Sequence, residues 1–253
     1  MSPVRAILLD VEGTTTPIEF VHRTLFSFAR RRLGDYLRDH GAEAEVHDAL
    51  EALRAQRDAD ERDGLKPPPW SEADDARSLH RATSYCLWLI AADRKVGALK
   101  TLQGRVWQLG YESGELRGEV YPDVEGALAR WRAAGLRLAI FSSGSVLSQR
   151  LLFAHSTAGD LSGAIDAYFD TRTGPKRDPA SYGRIAAHLD LSTSALLFVS
   201  DTPAELDAAA AAGLGTALCS RSSTPAPASA HPIVADFDEL EASLVPRPGG
   251  GHR

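Results

Sequence analysis

Cysteine is almost missing from this chain. Its 253 residues hold two, Cys86 and Cys219, far apart in the sequence, and two thiols make no disulfide framework for a protein of this length. Long apolar runs are missing as well. No stretch approaches the roughly 20 apolar residues of a membrane-spanning helix. The N-terminal MSPVRAILLDVEG has four apolar residues, Ala6-Ile7-Leu8-Leu9, before it meets an acid, too short a run for a secretion signal. There is no basic excess: 28 Lys and Arg stand against 34 Asp and Glu, a net charge of -6, whereas a nucleic-acid binder usually shows a basic face. Nor is there an internal repeat. Together these absences predict a soluble, cytoplasmic protein with no membrane and no nucleic acid among its partners. What remains is ordinary globular material, 43% hydrophobic and 25% charged, enough for one large domain or two modest ones.

The apolar run Ala6-Ile7-Leu8-Leu9 ends at Asp10, as a strand buried on both faces of a parallel sheet would. Four more strands are predicted at Leu136 to Phe141, Ala167 to Phe169, Ala195 to Ser200 and Gly215 to Cys219. Helical patterns alternate with them over Val124 to Ala134, Pro179 to Leu189 and Pro203 to Ala212. The first and last of these stop at Gly135 and Gly213, residues suited to close a helix. Strand, helix, strand with short links is the pattern of a doubly wound α/β sheet, mainly parallel and Rossmann-like.

Residues 18–118 read differently. They show helical spacing and no strand pattern, with a break at Lys66-Pro67-Pro68-Pro69 and a capped helix start at Ser71-Glu72-Ala73-Asp74. An all-helical domain is therefore predicted inside an α/β domain formed by residues 1–17 and 119–245. Residues 246–253, with three consecutive glycines, are expected to be a disordered tail.

In an open parallel sheet, ligands bind beyond the carboxyl ends of the strands. Four predicted strands end there in polar residues: Asp10-Val11-Glu12-Gly13-Thr14-Thr15, Ser142-Ser143-Gly144-Ser145, a loop holding Lys176, and Ser200-Asp201-Thr202 followed by Glu205. Each has a plain structural use alone, as a turn cap, a helix cap or a solvated lysine. As an ordered set they supply two carboxylates, hydroxyls and a cation around one crevice. Phosphoryl transfer through a covalent intermediate needs that set. A carboxylate can attack phosphorus, and a hard Mg²⁺ ion suits Asp10, Asp201 and a phosphate. Serine hydroxyls and helix-start amides hold phosphate oxygens, and Lys176 can neutralise charge.

These four segments resemble the motifs of the haloacid dehalogenase superfamily. A closer resemblance is carried by Asp10-Val11-Glu12-Gly13-Thr14-Thr15-Thr16-Pro17-Ile18, Leu102-Gln103-Gly104, Tyr121-Pro122-Asp123-Val124 and Phe141-Ser142-Ser143-Gly144-Ser145. Leu151-Leu152-Phe153 and Tyr168-Phe169-Asp170-Thr171 add to it. They are similar to the acireductone synthase family, the bifunctional enolase-phosphatases of methionine salvage. The resemblance implies a monomer with one Mg²⁺ per chain, acting on a small phosphate ester, 2,3-diketo-5-methylthiopentyl-1-phosphate, which it enolises and then dephosphorylates. It implies Asp10 as nucleophile and metal ligand, and Glu12 as metal ligand through its carbonyl and acid-base group through its side chain. Asp201 would be the second carboxylate ligand, with Glu205 supporting the metal; Ser142 and Ser143 would bind phosphate, and Lys176 would orient Asp10.

The helical domain then reads as a cap that excludes water from the site. Lys100, Gln103, Gly104, Trp107 and Tyr111 share one helical face; Lys100 and Gln103 are the substrate-contact candidates there, and Trp107 and Tyr111 read as core aromatics. The alternative within the superfamily is a generic Mg²⁺-dependent phosphatase without enolase activity. Full-length resemblance and Glu12 in place of the usual aspartate weigh against that alternative. A hydrolytic dehalogenase shares the fold and the aspartate nucleophile but needs no metal, and a phospho-acceptor signalling domain uses similar carboxylates but would not need the hundred-residue insert.

Overall fold

The structure is a computed structural model that describes residues 3–70, 75–221 and 229–244. The predicted helix start at Ser71-Glu72-Ala73-Asp74 and the predicted disordered tail at 246–253 lie outside the described residues. The chain divides into two compact units, one formed by Met1–Ile18 with Arg117–Arg253, the other by Glu19–Leu116. In chain order the elements are β1 (Ala6–Leu9), α1 (Phe26–His40), α2 (Ala44–Arg62), α3 (Asp75–Ala91), α4 (Gly97–Glu112), α5 (Pro122–Ala133) and β2 (Arg137–Phe141). There follow α6 (Val146–Ala154), β3 (Ala167–Phe169), α7 (Pro179–His188), β4 (Leu196–Ser200), α8 (Pro203–Ala211), β5 (Gly215–Cys219), β6 (Ile233–Val234) and α9 (Phe237–Leu244).

The first unit is a doubly wound α/β fold. Its six strands are all parallel, in the order β3-β2-β1-β4-β5-β6. Every residue of β1 is fully buried, which requires cover on both faces of the sheet. On one face Ala6, Leu8, Phe141 and Phe198 pack with Tyr182, Ile185 and Leu206 from α7 and α8. The chain leaves β1 for β2 on one side and later returns to β4 on the other, so the sheet's switch point is at the end of β1. Leu9 is level with Ile140 of β2 and Val199 of β4, and residues just beyond these three positions therefore emerge side by side.

Three helices of this unit start on proline, at Pro122, Pro179 and Pro203. Proline lacks only a donor that the first helical turn cannot use. Gly135 and Gly213 follow two of them with φ of +79° and +92°, the left-handed backbone that ends a helix. The predicted strands and helices agree with the structure to within two residues at each end. Strand β6 went unpredicted: two residues after Pro232 are too short for any hydrophobic period.

The second unit is helical. A π-helical turn at Phe20–Leu25 leads into α1, with the Phe26 N–H reaching back to Val21, and the Leu25 carbonyl accepts the Trp107 indole N–H at 2.8 Å. Trp107, Tyr111 and Gln103 of α4 are all buried. The buried Asp60 carboxylate accepts from Tyr85 Oη at 2.7 Å, Gln56 at 2.8 Å and Arg94 at 2.5 Å. Burial alone would raise its pKa, but these bonds outweigh that and hold it below the usual carboxylate range.

Two helical glycines separate packing from propensity. A methyl at Gly110 of α4 would sit 2.6 Å from Phe28 Cζ and 2.8 Å from Leu116 Cδ1, whereas one at Gly183 of α7 would meet nothing within 4 Å. Gly110→Ala is expected to destabilise by about 1–3 kcal/mol through overpacking. Gly183→Ala is expected to stabilise by about 0.5–1 kcal/mol. Urea unfolding midpoints of the two variants check both signs.

Candidate active site

Asp10 follows β1 directly, and its N–H bonds to the Val199 carbonyl at 3.0 Å, so the β1–β4 ladder fixes its backbone. Its buried side chain meets the ammonium of Lys176, which lies 166 residues away in sequence: Nζ is 2.6 Å from Asp10 Oδ1 and 2.5 Å from Glu205 Oε2. The Lys176 side chain is 9% exposed, and Nζ sits 5.8 Å from the centres of both the Phe141 and Phe198 rings. Tyr182 Oη, 2.7 Å from the Lys176 carbonyl and 3.1 Å from that of Glu205, ties the lysine loop to the start of α8. Burial would lower the ammonium pKa, yet the charges of Asp10 and Glu205 outweigh it and hold Lys176 protonated, above its ordinary value.

The acids around this cation behave differently. Asp201 is raised above the usual carboxylate range, first by burial and then by the charge of Asp10, although its bond from Thr202 Oγ1 at 3.0 Å opposes this. Glu205 is raised too, because burial and Asp10 outweigh Lys176. Its Oε2 also accepts from Ser200 Oγ at 3.1 Å, and Ser200 Oγ lies 3.5 Å from Asp10 Oδ2.

Two carboxylates thus pair with one ammonium, and a third, Asp201, feels the charges of both Asp10 and Lys176, so negative charge exceeds positive when all are ionised. Asp201 Oδ2 faces the one residue of the loop after β1 that has no side chain: a Cβ on Gly13 would be 2.2 Å from it. An excess of hard oxygen donors around a cradle of this kind fits a small divalent cation. Asp10 and Asp201 are the carboxylates that could hold it, and Glu12 is half-buried on the turn between Asp10 and Gly13.

Ser142 and Ser143 follow β2. Ser142 is buried, and its N–H bonds to the Phe169 carbonyl at 3.1 Å. Its Oγ accepts the Gly144 N–H at 3.1 Å, which leaves the hydroxyl proton to donate. Ser145 caps α6 by accepting the Ser148 N–H at 3.2 Å, so a helix N-terminus opens beside the serines. Asp10, Lys176, Asp201 and Glu205 are therefore gathered into one electrostatic group, with Ser142 and Ser143 beyond the neighbouring strand. Lys100 and Gln103 belong to the helical unit, on α4, where Gln103 is buried and Lys100 half-buried.

Three contributors escaped the sequence reading. Gln149 holds the serine loop through Nε2, 2.8 Å from the Gly144 carbonyl and 2.9 Å from that of Phe169. Asp170 accepts the Val146 N–H at 3.2 Å. Ser200, noted only as the end of a strand, links Asp10 with Glu205. Nothing in the local sequence marks Gln149; Asp170 stood inside a motif and still had no assigned task.

The family model for a haloacid dehalogenase-like hydrolase matches residues 4–213. The chain is 52% identical to enolase-phosphatase E1 of Synechococcus elongatus over 86% of its length and 89% of that protein. It is 48% identical to enolase-phosphatase E1 of Sorangium cellulosum, over 94% of this chain and 97% of that one. Among solved structures, the UTR4 protein of Saccharomyces cerevisiae is similar with a TM-score of 0.72 and 33% identity, over 93% of this chain and 99% of that one.

Gly13 gives the sharpest test of the cradle. Gly13→Ala forces a methyl against Asp201 at a backbone φ of +74°, a conformation that costs an L side chain about 1–2 kcal/mol. Displacing the carboxylate should lower aryl-phosphate hydrolysis by about 10²-fold. Steady-state rates and a thermal melt check the pair of effects, and a variant as active as the parent would contradict the cradle.

Proposed function

The chain belongs to the haloacid dehalogenase-like hydrolases and, within them, to the enolase-phosphatases E1, and from that membership we propose how its residues divide two reactions. The protein is a phosphatase with enolase activity in methionine salvage. It converts 2,3-diketo-5-methylthiopentyl-1-phosphate to its enol and then to the acireductone 1,2-dihydroxy-3-keto-5-methylthiopentene. The observation that supports the residue assignment best is the buried Lys176–Asp10 pair within an acidic cluster.

Glu12 is the proposed base of the first reaction: it takes a proton from the carbon bearing the phosphate ester, the electron pair moves to the adjacent carbonyl oxygen, and that oxygen takes a proton from solvent to complete the enol while Glu12 keeps its own. In the second, Asp10 attacks phosphorus. Its Oδ1 is held by Lys176, which leaves Oδ2 to form the new bond. The ester P–O bond breaks, the departing oxygen keeps the pair and receives a proton from Glu12, and an aspartyl phosphate remains. Water then attacks that phosphorus as Glu12 takes its proton, and the bond to Asp10 breaks to release phosphate. Ser142, Ser143 and the amides at the start of α6 hold the phosphoryl oxygens through the transfer.

One Mg²⁺ per chain belongs to the same proposal, held by the carboxylates of Asp10 and Asp201 and the carbonyl of Glu12, with Glu205 standing behind them through Lys176 and Ser200. When bound, that ion offsets the repulsion between a carboxylate nucleophile and an anionic phosphate. Work as a cytoplasmic monomer completes the reading.

Two measurements test it. Ultraviolet absorbance and phosphate release, followed together on the diketone phosphate with Mg²⁺, should show an enol signal and then phosphate, both lost with EDTA. Asp10→Asn should reduce phosphate release on the order of 10⁴- to 10⁶-fold and leave the chain folded, with a lowered melting temperature because the buried pair with Lys176 loses a charge. Phosphate from simple esters without an enol signal would point to a generic phosphatase. The second measurement is thermal stability against pH. Mg²⁺ at 100 times its Kd should add about 2.7 kcal/mol. The Asp201 pKa is raised, so a proton displaces the cation at a higher pH than at an ordinary aspartate. The added stability should be full above that pKa and should decline progressively as pH falls below it.

A further inference from the structure

The nucleophile loop is closed on itself at one side. The Val11 carbonyl accepts the N–H groups of Thr14, Thr15 and Thr16 at 3.2, 3.0 and 2.9 Å, and Gly13 donates to the Thr16 carbonyl at 2.8 Å. Two carbonyls of the loop are met from outside it. That of Thr15 accepts the Tyr121 N–H at 3.0 Å. That of Thr14 accepts two N–H groups from one side chain, Arg221, with Nε at 3.0 Å and Nη2 at 2.7 Å.

Arg221 lies just beyond β5, and its side chain is 9% exposed. Its Nη1 bonds both oxygens of Asp123, each at 2.8 Å. The guanidinium lies 4.4 Å from the ring centre of Tyr121 and 4.6 Å from that of Phe237, and Asp123 Oδ2 also accepts the Phe237 N–H at 2.8 Å. A single planar cation thus joins the nucleophile loop to the starts of α5 and α9. A guanidinium suits this task because its donors form a rigid fork and its faces stack on rings; an ammonium offers neither.

We propose that Arg221 is a positioning residue for catalysis, acting through the Thr14 carbonyl to fix the Glu12–Gly13–Thr14 turn against Asp201. The tolerance there is small, because a methyl group on Gly13 would already collide with the Asp201 carboxylate. A shift of the turn moves the Glu12 carbonyl and side chain away from Asp10 and Asp201 while leaving the serine loop in place. The guanidinium touches no reacting atom: Nε, Nη1 and Nη2 are all engaged by the protein.

The inference rests on Asp10 being the nucleophile, and the test separates the two. Arg221→Ala, Arg221→Lys and Asp123→Asn are compared with the parent on the diketone phosphate and on an aryl phosphate, with Mg²⁺ varied. Loss of an outer residue of this kind costs about 10- to 100-fold. That loss is expected in kcat for both arginine variants, with KM nearly unchanged, the Mg²⁺ half-saturation raised and a smaller loss for Asp123→Asn. Millimolar guanidinium should restore part of kcat to Arg221→Ala, and methylammonium should not. Amide exchange at Glu12 to Thr16 should quicken in the variants.

Full kcat in Arg221→Lys would overturn the proposal, and so would a loss confined to KM. If guanidinium restores the melting temperature without kcat, Arg221 is only a structural tie. Should Arg221→Ala fail to fold, the lysine and Asp123 variants decide. If the parent hydrolyses aryl phosphate but forms no enol, the enolase reading fails and the kcat comparison still stands on hydrolysis. If it hydrolyses neither, the nucleophile assignment fails, and unchanged amide exchange would overturn the loop contact as well.

Discussion

The ammonium of Lys176 is the point on which the site depends. An unpaired buried cation is costly, and so is a cluster of buried carboxylates; here each relieves the other. Asp10 and Glu205 keep Lys176 charged where burial would discharge it, and Lys176 allows two acids to sit together in the interior. Removing one member of such a pair costs about 3–5 kcal/mol, so the site and the stability of the sheet are coupled. The rings of Phe141 and Phe198 and the hydroxyl of Tyr182 complete the lysine's surroundings. They show that the same α7 and α8 packing that fills the core also aims the cation.

The one interaction does not finish the balance. Negative charge remains in excess, and after burial it is the charge of Asp10 that holds the Asp201 pKa up. On the other side of β1 the chemistry is reversed. Past β2 the chain offers hydroxyls and helix-start amides, groups that take an anion rather than a cation. The strand order puts Asp10 between the two, an acceptor-rich side and a donor-rich side, which is the polarity that a phosphate bridged to a metal requires.

Much of this was legible in the sequence. Continuous apolar runs gave five of the six strands among the described residues, and the polar residue after each run marked the end of the sheet where Asp10, Lys176 and Glu205 meet. Glycine and proline marked helix ends because their backbone constraints are local. What was hidden depends on distance along the chain. That the Glu205 carboxylate would face the lysine could not be read from a spacing, because Lys176 and Glu205 meet only through the packing of α7 on α8. Gln149 binds two carbonyls that no pattern brings together. Trp107 and Tyr111 read as core aromatics from helical spacing, and they are buried. The π-helical turn at Phe20–Leu25 had no local signal, for its last carbonyl, that of Leu25, is met by an indole 82 residues later.

Sequence distance also sets when the site can come into being. Strand β1 emerges first from the ribosome, yet its neighbours β2 and β4 arrive only after the whole of Glu19–Leu116 has been made. Ser200 and Asp10 are 190 residues apart. The helical unit, built from contacts within one stretch of chain, can fold while β1 still has no sheet to join, whereas long-range parallel pairing closes slowly. For most of synthesis, then, Asp10 is carried at the end of an unpaired apolar strand. The nascent chain has no chemistry to perform, and its first need is protection of that strand from other chains.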